Sequence, residues 1–220
     1  MSVRAILLDI EGTTTPIAFV HDVLFSYARD HVREFLATDS ATEDIALLRE
    51  EQANDVGAPE SIAEYVEWLI SIDRKSTALK SLQGKIWRQG YEAGSLKSQV
   101  FADVAPAFAR WRDRGLKISI FSSGSVLAQQ LLFAHTEVGD LTPFIDSYFD
   151  TNVGKKGEAE SYRKIAEAMA LEPQQILFIS DVVAELDAAS EAGMETVLSI
   201  RPGNSEQPQV CPSIRTFDSI

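Results

Sequence analysis

The sequence predicts an α/β protein, a doubly wound parallel sheet with an all-helical segment inserted after its first strand. Two observations carry this. From about residue 100 onward, short apolar runs alternate with amphipathic helical patterns. That βαβα order builds a parallel sheet covered on both faces. The first apolar run, residues 3–8, is separated from this alternation by a long block of purely helical pattern.

The elements follow in order. Residues 3–8 read as a buried strand. From about Val20 to Ala93 the pattern is helical throughout: "DVLFSYARDHVREFLA" sets Val23, Leu24, Tyr27, His31, Phe35 and Leu36 near one face, and "SIAEYVEWLISIDR" does the same with Ile62, Tyr65, Val66 and Leu69. Pro59 and Ser61 are a start signal for that second helix. "AGSLKSQ" (93–99) is a polar linker. "DVAPAFARWRDRG" is a helix closed by Gly115. Strands are expected at 117–121 ("KISIF"), 147–149 ("SYF"), 175–180 ("QILFIS") and 195–200 ("ETVLSI"), with a last short one in 214–217. Helices fall between them in "SVLAQQLLFAHT", "EAESYRKIAEAMA" and "VVAELDAASEAG". The expected organisation is a catalytic core of residues 1–17 and 96–220, with a helical cap of residues 18–95 between two linkers.

Composition narrows the function. A chain of 220 residues can build one sizeable core plus a smaller insert. Its net charge of -13 repels phosphate backbones and anionic bilayers, so neither nucleic acid nor membrane is an expected partner. An acidic protein that handles an anionic substrate needs a metal ion or local lysines at its site. The single cysteine, Cys211, allows no intrachain disulfide and fits a reducing compartment. The N-terminal apolar run is too short for a signal segment or a membrane span. A cytoplasmic protein is expected, and a monomer, because no oligomerisation segment stands out.

Ligands of a doubly wound sheet bind beyond the carboxyl ends of the strands. The first strand is followed by Asp9, Glu11, Gly12 and Thr13, and the second by Ser122, Ser123, Gly124 and Ser125. The third is followed by Lys155 and Lys156, and the fourth by Asp181 with Glu185 four residues on. Each has a plain structural reading. Asp9 alone suits a turn, Asp181 suits a helix N-cap, and Glu185 suits a first-turn position favoured by the helix dipole. The serine–glycine stretch suits an ordinary loop with Ser125 as N-cap, and equally a phosphate cradle. A solvated pair is the plain reading of the two lysines. The pair Asp9–Glu11 is less easily explained this way. In extended backbone, residues two apart face one side, and like charges so close need a cation or a shared proton.

Taken together, "DIEGT", "ISIFSSG", "KK" and "SDVVAE", each after a strand, resemble the haloacid dehalogenase superfamily of aspartate-nucleophile phosphatases. The resemblance spans residues 9–185, and the helical insert matches that superfamily's cap. Two positions depart from the usual pattern: Glu11 replaces Asp, and Ser180 replaces the Gly before the fourth-motif Asp. "DIEGTTTPI", "GSLKSQVFADV", "FSSGSVLAQQLLF", "GKKGEAESYRKIA" and "RPGN" narrow the match, almost end to end, to a branch that both enolises and dephosphorylates a small phosphorylated diketone.

The resemblance implies roles. Asp9 is the expected nucleophile, forming an aspartyl-phosphate. Glu11 is the expected general acid and then base, a need that a dehalogenase lacks. Mg2+ is expected on Asp9, Asp181 and the backbone carbonyl of Glu11. Lys156, preferred to Lys155 by the family register, neutralises the phosphate. Ser122, Ser123 and Gly124 bind its oxygens, and Thr13 and Glu185 give support. His21 and Lys97 are candidates for substrate contact. The rival readings are another small-metabolite phosphatase of the same superfamily and a receiver-type module phosphorylated on Asp. The large insert and Glu11 both speak against the module.

Overall fold

In a computed structural model, the first strand is the centre of the sheet. The structure describes residues 2–72, 74, 76–206 and 212–220, so Cys211 lies outside the described residues. Strand β1 (Ala5–Leu8) is flanked by β2 (Lys117–Phe121) and β4 (Ile176–Ser180). Outside these lie β3 (Ser147–Phe149), and on the other edge β5 (Glu195–Ser199) and β6 (Ser213–Ile214). The order is β3-β2-β1-β4-β5-β6 and every pairing is parallel. All four residues of β1 are buried, which is why "AILL" is a continuous apolar run.

The chain thus fills one side of β1 and then returns to fill the other, so the strand order reverses at β1. Leu8 lies level with Ile120 on one side and Ile179 on the other. Asp9 hydrogen-bonds through its N–H to Ile179 O at 3.0 Å. The residues leaving β1, β2 and β4 therefore emerge side by side, at the place where ligands of such sheets bind.

Helices α5 (Val104–Asp113), α6 (Val126–Ala134), α7 (Ala159–Ala168) and α8 (Val183–Glu191) connect these strands. Tyr162, Ile165 and Ala166 of α7 and Leu186 and Ala189 of α8 pack with Leu7, Phe121 and Phe178 in the buried core. The expected strand in 214–217 is displaced: β6 ends at Ile214, and Phe217 begins a short 3₁₀ turn. The cause is packing, since the Phe217 ring is fully buried against Trp111, with centroids 5.2 Å apart.

Contacts divide the chain into two compact units, Met1–Phe19 with Lys97–Ile220, and Val20–Leu96. The second contains α1 (Ser26–Leu36), α2 (Thr42–Gln52), α3 (Ile62–Ser71) and α4 (Thr77–Glu92). In α3, Tyr65, Val66 and Leu69 are buried. Asp44 of α2 is buried and tied to α4 by Lys85 at 2.6 Å and Ser81 at 2.7 Å. The apolar face expected around α1 is rotated. Leu24, Ala28, Val32 and Phe35 are buried, while Val23 is 39% exposed. Residues 19–25 form a π-helix, whose i→i+5 bonding carries more residues per turn and shifts the phase of α1 behind it.

One buried ion pair ties the loop behind β1 to the rest of its unit. Arg201 donates to Asp103 at 3.0 Å, to Thr13 O at 3.1 Å and to Arg215 O at 2.8 Å. Its guanidinium lies between Phe101 and Phe217, 4.6 and 4.4 Å from their centroids. Breaking such a pair from one side strands the other charge in a dry site. Arg201→Leu is therefore expected to lower the unfolding free energy by about 3–5 kcal/mol in urea titrations.

Candidate active site

The nucleophile candidate is held before anything binds. Asp9 is 5% exposed. Its Oδ1 accepts the Ile10 N–H at 2.7 Å and pairs with Lys156 Nζ, also at 2.7 Å. Among the described residues, its Oδ2 receives only a long contact from Ser180 Oγ, at 3.4 Å. Lys156 pairs equally closely with Glu185, at 2.6 Å, and is itself 8% exposed. Asp9, Lys156 and Glu185 thus form an acid–base–acid chain, buried at Asp9 and Lys156 and part-buried at Glu185.

Lys156 is aimed by residues further along the chain. Tyr162 Oη donates to Lys156 O at 2.7 Å, and Ser161 Oγ donates to Lys155 O at 2.7 Å. With both carbonyls anchored to α7, Lys156 points inward. Lys155 points out and pairs with Glu158 at 3.3 Å, its side chain 85% exposed. Spacing leaves the two lysines open, and the structure places only Lys156 beside Asp9. Glu158 is the N-cap of α7, so neither lysine lies in its first turn.

Asp181 is not a helix cap, because Val182 holds the N-cap position of α8. Its carboxylate faces Gly12, where a Cβ would run into it and stand 2.9 Å from Asn204 Oδ1. Gly12 also has φ +65°, so both its space and its backbone demand glycine. Glu11 sits half-buried in the turn, bridged to Thr15. Thr13 is fully buried, and its hydroxyl has no hydrogen-bond partner among the described residues. Ser122, Ser123 and Gly124 follow β2, with Gly124 N–H donating to Ser122 Oγ at 3.2 Å. Ser125 does cap α6, accepting Ala128 N–H at 3.3 Å. His21 belongs to the helical unit, in edge contact with Phe25.

Three residues gain an importance that the sequence alone does not give them. Ser180, in place of the usual glycine, donates to Glu185 at 2.9 Å and accepts Val182 N–H at 3.2 Å. Asn204 donates to Gly12 O at 2.9 Å and to Ser199 O at 3.1 Å. Arg201 holds Thr13 O at 3.1 Å. The "RPGN" stretch carries both Arg201 and Asn204, so the signal is present in the sequence without its meaning.

The charges are out of balance. Lys156 has its pKa lowered by burial, but Asp9 and Glu185 outweigh this and raise it above the ordinary lysine value of 10.5. Asp181 is pushed up to about 7, first by burial and then by the charges of Asp9 and Glu185. Glu185 is raised too, by burial and then Asp9, with Lys156 opposing. A divalent cation would relieve this excess of negative charge. Among the described residues no three His, Cys, Asp or Glu side chains cluster as a metal cage. The chemistry suits Mg2+, which is commonly held by one or two carboxylates together with substrate phosphate and water.

The matching family model, "haloacid dehalogenase-like hydrolase", covers residues 3–193, and the chain belongs to that family of hydrolases. Within it, the chain is 56% identical to enolase-phosphatase E1 of Synechococcus elongatus, over 93% of this chain and 92% of that one. It is 50% identical to enolase-phosphatase E1 of Sorangium cellulosum, over 99% and 97%. It is 48% identical to the Drosophila mojavensis protein of that name, over 100% and 96%. The UTR4 protein of Saccharomyces cerevisiae superposes with a TM-score of 0.85 at 36% identity, covering all of both chains. CbbY of Rhodobacter sphaeroides, solved with phosphate, shares the fold at TM-score 0.62 and 19% identity, over 98% of this chain and 95% of that one. The chain is an enzyme of the phosphatase class, and a small phosphorylated compound is its substrate type. No helix among the described residues is long and apolar enough to cross a membrane.

The raised acids have a consequence for the metal-free protein. A carboxyl whose folded pKa lies above its unfolded value stabilises the fold fully below the unfolded value, and that contribution is lost as pH rises through the folded one. For Asp181 the window runs from 3.8 to about 7. Without divalent ions, Tm should therefore fall across this window, and added Mg2+ should raise Tm more at its upper end. Asp181→Asn should flatten both effects in a calorimetric pH series.

Proposed function

We propose that this chain enolises and then dephosphorylates 2,3-diketo-5-methylthiopentyl 1-phosphate with Mg2+, releasing the acireductone of methionine salvage. The observation that carries the reading is the buried Asp9–Lys156 pair at the sheet's switch point, 2.7 Å apart, with Asp181 beside the same loop. The enolase-phosphatase relatives, matched almost end to end, support the choice of substrate. We further propose a cytoplasmic monomer, with residues 1–17 and 96–220 as catalytic core and 18–95 as cap.

Asp9 is the nucleophile. Two donors hold its Oδ1, so Oδ2 keeps the lone pairs that attack requires. Attack on phosphorus forms an aspartyl-phosphate and expels the substrate oxygen. Lys156, held in place by Glu185, neutralises phosphoryl oxygens. The Ser122 hydroxyl and the N–H groups around Ser123 and Gly124 hold the remaining oxygens. Glu11 protonates the leaving oxygen, then takes a proton from the water that splits the acyl-phosphate. Asp9, Asp181 and the Glu11 carbonyl would hold Mg2+, which when bound neutralises charge on the phosphoryl group. The enolisation needs a base for a carbon-bound proton, and Glu11, one methylene longer than Asp, is the candidate with the reach. Thr13 gives support from the turn that follows Asp9 and Glu11.

A receiver-type module would hold a phosphoryl label from a small acyl phosphate, whereas this chain should turn it over. With the diketo phosphate, Asp9→Asn should abolish phosphate release, and retained release would remove Asp9 as nucleophile. Glu11→Gln should slow phosphate release by about 100-fold or more. Detecting enol and phosphate separately tests both steps, and phosphate release without enol would leave only a small-metabolite phosphatase.

A further inference from the structure

Helix α6 carries a glutamine that the proposed chemistry does not use. Gln129 is 1% exposed. Its amide nitrogen donates both hydrogens, to Gly124 O at 2.9 Å and to Phe149 O at 2.8 Å. Its Oε1 is buried and has no hydrogen-bond partner among the described residues. Both neighbours are acceptors, so only the NH2 end can face them. An unmatched buried oxygen is unfavourable. An aliphatic side chain would fill the same space without it, so packing alone does not explain a carboxamide here.

The two bonds act on the loop proposed to hold phosphate. Phe149 ends β3, and Gly124 is the turn of the Ser122–Ser125 loop. The peptide bonds are trans, so the Gly124 carbonyl and the Ser125 N–H point in opposite directions from one plane. Gly124 does not need to be glycine for space: the nearest atom to a Cβ there is Ser122 Oγ, at 3.7 Å. Its φ is not among the positive values either. What glycine gives this position is freedom to rotate. A rotation would turn an N–H away from a bound anion and a carbonyl oxygen toward it.

We propose that Gln129 is a positioning residue for the phosphate subsite, holding the Gly124 carbonyl turned away from the anion so that the loop offers N–H groups instead. The proposal rests on the reading of Ser122–Ser125 as the phosphate cradle. The same wiring recurs across the sheet. Asn204 gives both hydrogens to Gly12 O and Ser199 O, and its Oδ1 is also without a hydrogen-bond partner among the described residues. In each case a carboxamide ties the loop after one strand to the end of another, β2 to the adjacent β3 through Gln129 and β1 to β5, one strand beyond β4, through Asn204.

The test uses the whole enzyme, with orthophosphate as the probe. Gln129→Met keeps the shape and removes both donors, and Gln129→Glu keeps the shape and sets an acceptor against two acceptors. Competitive inhibition by orthophosphate, and calorimetric titration of it with Mg2+ present, should both show about tenfold weaker binding or more for Met, and a larger loss for Glu. Mg2+ binding without phosphate should stay at its wild-type value. Adding Gly124→Ala to Gln129→Met should restore part of the phosphate affinity, because alanine limits the rotation. Wild-type phosphate affinity in either folded variant overturns the proposal, as does an equal weakening of phosphate and Mg2+, which marks general damage. If the wild-type enzyme itself binds no orthophosphate, the cradle reading falls and this inference with it.

Discussion

Lys156 is the residue on which the arrangement of the site depends. It is one cation buried between Asp9 and Glu185, with Asp181 beside the same loop. Without it, three carboxylates would meet in a poorly solvated pocket, at a cost that folding does not easily bear. With it, Asp9 stays in position, and the excess charge that remains is the kind a divalent ion and an anionic substrate can settle together. The protein's overall acidity becomes compatible with a phosphate ester because the local charge is organised, not because the surface attracts anions.

Much of the rigidity around this pair comes from bonds to backbone carbonyls. Tyr162 and Ser161 anchor the carbonyls of the two lysines. Arg201, Ser199 and Asn204 anchor those of Thr13 and Gly12, the Ser199 hydroxyl at 3.1 Å from Gly12 O. Gln129 anchors that of Gly124. A loop at the end of a strand has lost its ladder partners, and its carbonyls would otherwise turn to whatever donor or water is near. Committing them to buried side chains leaves the loop's N–H groups and carboxylates for the proposed ligand. The arrangement is pre-organised, as catalysis by positioning requires.

The fold was legible in the sequence because its signal is local. The run "AILL" is buried on both faces, and the apolar strands alternate with helices closed by polar turns. The ends of those runs fall where chemistry-bearing residues begin, so Asp9, the serine–glycine loop, the lysine pair and Asp181 could be located. Other features have no local signal. Lys155 and Lys156 are adjacent and identical, and which points inward is set by tertiary packing around the carbonyls that Ser161 and Tyr162, six residues on, hold. Gln129 and Asn204 look like ordinary polar residues until their partners arrive from other strands. The face of α1 is shifted because the π-helix at residues 19–25 breaks the 3.6-residue period on which a helical pattern is read.

Ser180 shows how a departure from a family pattern can carry structure. A glycine there would leave Glu185 with Lys156 alone among the described residues. The serine hydroxyl has one hydrogen, and at 2.9 Å from Glu185 against 3.4 Å from Asp9 it goes mainly to Glu185. That bond favours the ionised form of Glu185, as the charge of Lys156 also does. An ionised Glu185 keeps the lysine charged and in place, while Asp9 Oδ2 is left with only a weak competitor for its lone pairs. The serine therefore strengthens the brace behind the lysine without occupying the oxygen proposed to react.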